Sequence, residues 1–125
     1  MSWFRRHEAE EQSGSEQGSL NGATSVEIVP APAAGFVHRV DCVRFFNCDT
    51  AQVDITIRKT LTGPTHYAFD RSPTLAVNGF FAPVTGQEMV RLTATDESIT
   101  AVMGGAAATT NPTWIASWVK VPVPV

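Results

Sequence analysis

The sequence predicts an all-β protein: an antiparallel β-sandwich, specifically an eight-stranded jelly roll, with an extended N-terminal arm. Three observations carry this. Beyond residue 23 the apolar residues recur mainly with period two, and helix signals vanish. Gly, Pro, Asn and Asp punctuate the chain roughly every ten residues, the spacing of a sandwich or barrel. Eight strand-like segments result, one more than the immunoglobulin type, and the Cys…Trp…Cys pattern of antibody domains is missing.

The elements follow in order. Val26 and Ile28 alternate with Glu27 in a short strand stopped by Pro30-Ala31-Pro32. Phe36 to Asn47 is a long strand, apolar on both parities, which suits a central or covered position. Ala51 to Lys59 alternates most clearly: Val53, Ile55 and Ile57 against Asp54, Thr56 and Arg58. Leu61-Thr62-Gly63-Pro64 is a turn. His66 to Arg71 and Leu75 to Val77 read as two short strands, the second ending at the tight-turn dipeptide Asn78-Gly79. Phe80-Phe81-Ala82-Pro83 reads as a loop, Glu88 to Thr95 as a strand and Asp96-Glu97 as a polar turn. Ser98 to Met103 is a strand, Gly104 to Asn111 a loop of small residues, and Trp114 to Val121 the closing strand.

The 125 residues divide into an arm, 1–23, and a sandwich domain, 24–125. From Glu8 to Gly22 nearly every residue is Glu, Gln, Ser, Gly or Asn. Such a stretch buries too little apolar area to offset its ordering entropy, so alone it is expected to be disordered. Its tip differs: Trp3, Phe4, Arg5 and Arg6 form an aromatic and basic anchor suited to a partner's pocket. The polar stretch then acts as a strap of up to ~50 Å. Deleting residues 1–23 is expected to leave a folded body and weaken attachment.

Charge narrows the partners. Net charge is −3 and the pI about 5.5, which argues against direct nucleic-acid binding. No apolar run reaches the ~18 residues that span a bilayer, and the first residues lack a secretory apolar stretch, so no membrane partner is expected. Only 17% of residues are charged, against an average near ~25%, so much of the surface is free to pack on other proteins.

Chemistry-bearing residues are sparse and scattered. Cys42 and Cys48, about 20 Å apart if extended, read as reduced, buried thiols that react only after unfolding. No Cys/His spacing suits zinc, and His38 and His66 stand apart from each other. No nucleophile elbow or phosphate loop is present. The expectation is no enzyme, no catalytic residue, no metal and no cofactor. Trp114 and Trp118 share one strand face, with Ile115, Val119 and Val121 on the other. Either row can face the core. Outward tryptophans would offer a sugar platform or a subunit contact. Phe80 and Phe81, placed in a loop, read as a contact patch together with Trp114.

A pattern of strands and turns carries a resemblance. Val26-Glu27-Ile28-Val29-Pro30-Ala31-Pro32-Ala33-Ala34-Gly35-Phe36-Val37-His38-Arg39-Val40 resembles the opening of small virion proteins of tailed bacteriophages. Val43-Arg44-Phe45-Phe46-Asn47 and Val53-Asp54-Ile55-Thr56-Ile57-Arg58 continue it. Glu97-Ser98-Ile99-Thr100-Ala101-Val102 and Trp118-Val119-Lys120-Val121 close it, so it covers 24–121. The arm is a departure from the plainest members.

The resemblance implies a structural protein of the virion, assembled in the host cytoplasm, that decorates or cements the capsid. Its partners would be major capsid or neck proteins and further copies of itself, a trimer first. Two alternatives stand beside this: a head–tail, neck or tail adaptor subunit, and a receptor- or carbohydrate-binding sandwich at the tail using Trp114, Trp118 or Tyr67. A metal-binding enzyme of cupin type fits poorly, because His38 and His66 are isolated.

Overall fold

A computed structural model describes residues 12–61 and 65–123, apart from the side chains of 86–89. The fold is all-β. Among the described residues eight strands follow in order: β1 (Gln12–Ser19), β2 (Val26–Val29), β3 (Phe36–Phe46), β4 (Val53–Thr60), β5 (His66–Leu75), β6 (Phe80–Leu92), β7 (Ser98–Met103) and β8 (Thr113–Pro122). They form two four-stranded sheets, β1-β8-β3-β6 and β2-β7-β4-β5, with every neighbouring pair antiparallel. In four of those pairs, β1·β8, β2·β7, β3·β6 and β4·β5, the strand numbers sum to nine. That is the order of one long hairpin rolled over itself, as in a jelly roll.

The core lies between the sheets. Ile55, Ile57, Ile99 and Ala101 fill it from the centre of one sheet, and Val40, Val43, Phe45 and Ala116 from the other. β3 is apolar on both parities for a local reason. Its register shifts between Val40 and Cys42 against both neighbours, so a bulge resets the alternation and turns Val40 and Val43 to the same side.

Three expectations are corrected. First, the arm is not separate from the sandwich along its whole length. Gln12 to Ser19 forms β1, paired along its full length with β8, and Leu20 is 2% exposed in the core. The boundary at residue 23 therefore cuts through the domain, and part of the body does rest on the arm. Second, Leu75 to Val77 is not a strand of its own. β5 runs unbroken from His66 to Leu75, and its Pro73 is tolerated because β5 is an edge strand with an irregular register opposite Val53 and Ile55. Third, Phe80 to Pro83 is the start of β6, not a loop. Pro83 lies where the β3–β6 register shifts, on the other edge. Eight strands are thus found among the described residues, but one replaces another.

Asn78-Gly79 does turn the chain, with Asn78 at φ 62°. It joins strands of opposite sheets, so it makes a crossover corner and not a hairpin. Buried Asn47 holds that corner, and buried Asp49 holds a second loop beside it. The Asn47 side-chain amide donates to the Ala51 and Leu75 carbonyls at 3.0 Å, and its Oδ1 accepts from Asp49 N. The Asp49 carboxylate accepts from the backbone N–H of Thr50, Ala108, Thr109 and Thr110. These bonds, Thr109 first, hold Asp49 far below the ordinary carboxylate range. They also tie the Gly104–Asn111 loop to the end of β3.

Candidate partner-binding surfaces

Successive residues of a strand point to opposite faces, and this separates the expected contact residues. Phe80 faces outward and is 62% exposed. Phe81 turns inward, stacks on Phe45 at 5.7 Å and packs against the core. Trp114 and Trp118 are 7% and 8% exposed, so both tryptophans are core residues and Ile115, 49% exposed, looks outward. Phe81 therefore leaves the expected patch, while Trp114, though buried, still lines one groove with Phe80. Trp3, Phe4, Arg5 and Arg6 lie outside the described residues.

A different patch gathers around Phe80. The register places Phe46 between Phe80 and Thr113, and Arg44 beside Ile115. The Phe46 and Phe80 rings meet at 5.0 Å, and the Arg44 guanidinium lies 5.2 Å from the Phe80 ring centre. Gln17 of β1 pairs with Ile115 on the far side. Together they line an open groove of about 470 Å³ at one end of the β1-β8-β3-β6 sheet. Its floor is apolar and its rim carries a cation, the composition of an interface centre.

A second opening, part apolar and part charged through Lys59, Asp70 and Arg91, lies between the edge strands β5 and β6. Tyr67, 62% exposed, and Phe69 line it with Lys59, Pro83 and Val90. Lys59 is bonded to Glu97 at 2.8 Å.

The tryptophans have a partner that sequence reading missed. In the β1–β8 register Gly14 faces Trp118 and Gly18 faces Trp114. A Cβ at Gly14 would lie 2.5 Å from the Trp118 ring, and one at Gly18 would lie 3.1 Å from the Trp114 ring. Each indole thus covers a glycine of the edge strand, and each glycine leaves room for it. The Trp114 Nε1 is buried there with no hydrogen-bond partner among the described residues. The signal was present in the sequence as matching spacings, Gly-x-x-x-Gly at 14 and 18 and Trp-x-x-x-Trp at 114 and 118.

The remaining chemical groups have structural tasks. His38 is buried, and its Nδ1–H donates to the Pro30 carbonyl at 2.8 Å. Burial pushes its pKa down, against the Pro30 bond. Cys42 and Cys48 are free thiols, but both are half-buried, not buried as expected. The expectation that they react only after unfolding therefore loses its basis. Cys48 Sγ donates to the Asn111 carbonyl at 3.3 Å.

Neither a known protein-family model nor a curated protein matches the chain. Solved structures do. A protein from the disulfide-linked pili of Bacillus endospore appendages aligns at TM-score 0.51 and 12% identity, covering 91% of this chain and 88% of its own. A chain of the acid-stable capsid of Helicobacter pylori bacteriophage KHP30 aligns at TM-score 0.56 and 14% identity, covering 92% and 89%. A chain from the capsid asymmetric unit of cyanophage Pam1 aligns at TM-score 0.36 and 16% identity, covering 90% and 84%. At these identities the first two are likenesses of fold.

Proposed function

We propose that the chain is a structural subunit of a tailed-bacteriophage virion, attached to capsid or neck proteins by surface burial and without catalysis. Decoration of the capsid is the first form of this reading, with further copies of the chain as neighbours. The observation that carries it is the exposed Arg44, Phe46, Phe80 and Ile115 groove. A large outward aromatic beside an arginine is costly to leave in water and typical of an interface anchor. The similar folds in a phage capsid and a pilus support a role in assembly. Carbohydrate binding through Trp114 and Trp118 is disfavoured, because both indoles lie in the core.

The test is cosedimentation of purified protein with particles that lack it. Phe80→Ser should bind about thirtyfold more weakly, from the ~2 kcal/mol of a typical interface aromatic. Its unfolding midpoint should match wild type. Equal binding by the two proteins would remove the groove from the contact.

A further inference from the structure

We propose that β1 is an exchangeable strand, and that the Trp114–Trp118 seat on β8 accepts β1 from a second copy of this chain. The inference goes beyond the virion reading and does not depend on it.

The donor is weakly held by its own chemistry. β1 reads Gln-Ser-Gly-Ser-Glu-Gln-Gly-Ser and brings no apolar side chain to the core. It is an edge strand, with β8 as its one neighbour in the sheet among the described residues. The seat, by contrast, is selective. Its two indoles are spaced four residues apart and admit a strand with glycines at the same spacing. Left empty, it would expose both indoles and the hydrogen-bonding edge of β8, a template for strand addition.

The joint between β1 and the body allows exchange without unfolding. Leu20 is buried, and its N–H donates to the Pro112 carbonyl at 2.8 Å. Asn21 and Thr24 form a bridge, and Gly22, at φ 54°, accepts from Met103 N at 3.0 Å. The Asn111 side chain accepts from Gly22 N at 3.1 Å. These contacts lie after β1 and involve none of its residues. The strand can therefore swing out about Leu20 while the corner stays in place. In a second copy it would find the same register and the same two glycine–indole contacts. The exchange changes which chain supplies the strand, not the bonds made, so concentration decides its extent.

The test uses one cysteine per chain in a Cys42→Ser, Cys48→Ser background. Gln17 and Ile115 are exposed register partners on β1 and β8. A Gln17→Cys chain and an Ile115→Cys chain are mixed as folded, concentrated proteins and then oxidised. Peptide mass spectrometry counts the disulfide that joins position 17 of one chain to position 115 of the other. The control pairs Gln17→Cys with Ala68→Cys, an exposed site on β5. The proposal expects at least tenfold more Gln17→Cys–Ile115→Cys product than control, and loss of that excess when the donor also carries Gly14→Val. Equal yields from the two mixtures would overturn it. So would an excess that Gly14→Val leaves unchanged. The same-chain double variant, Gln17→Cys with Ile115→Cys, must cross-link, which confirms the register in every outcome.

Discussion

β4 and β1 are each eight residues long and each lies antiparallel to its neighbours, and there the likeness ends. β4 sends Val53, Ile55 and Ile57 into the core and Asp54, Thr56 and Arg58 the other way. Its own side chains make it a strand. β1 is nearly all exposed, and both faces are polar or glycine. What makes it a strand is β8, whose tryptophans need a cover that only glycine leaves room for. Strand character can thus reside in the partner.

The comparison can be broken at either strand. Ile57→Ala in β4 should have the largest effect. Ile57 is fully buried, and truncating such a residue costs about 2–5 kcal/mol. Denaturant unfolding should show one cooperative transition at a lower midpoint. Gly14→Val in β1 should cost less, about 1–3 kcal/mol, since the new side chain collides with Trp118 and the strand can leave. Limited proteolysis should then cut between residues 12 and 19 while the core stays intact. Deleting residues 1–19 should expose the same two indoles, so the truncated body should be less stable than the whole chain.

A further effect depends on pH. Asp49 has its folded-state pKa below its ordinary value of 3.8, because backbone N–H groups, Thr109 first, favour the carboxylate. Its contribution is therefore complete above the unfolded pKa and is lost as pH falls through the folded one. Wild-type stability should drop as pH falls below about 4. Asp49→Asn should start lower at pH 7 and drop less over that window. Asp54, lowered by its 2.6 Å bond to Arg71, leaves a residual slope. Thermal melts from pH 7 to pH 2 measure both. The smallest effect on folding belongs to Phe80→Ser, within ~0.5 kcal/mol, because its ring is mostly in water.

Much of the fold was legible where a strand carries its own apolar row. β2, β4 and β7 were readable from alternation, and β3 and β8 from apolar residues on both parities. β1 was not, because composition tests a segment's own burial and its glycines are used by another strand's indoles. Pro73 and Pro83 hid the continuity of β5 and β6, since proline breaks a central strand but not an edge. Of the expected contact residues within the described chain, Phe80 stayed exposed while Phe81 and Trp114 turned inward. The facing of Phe81 depended on register, which the loop reading of Phe80 to Pro83 had removed, and that of Trp114 on which of the two apolar rows of β8 met the core. Arg44 and Phe46 went unnoticed as contacts because they join Phe80 only across β3 and β6.

Amide hydrogen exchange on the wild-type protein and Gly14→Val tests the central claim most directly. If the tryptophans of β8 hold β1, the wild-type amides of residues 12–19 are protected, though less than those of β4. In Gly14→Val that protection should vanish while β4 keeps most of its own. Wild-type β1 amides exchanging at the rate of an unfolded chain would contradict the account, as would β1 protection that survives the valine.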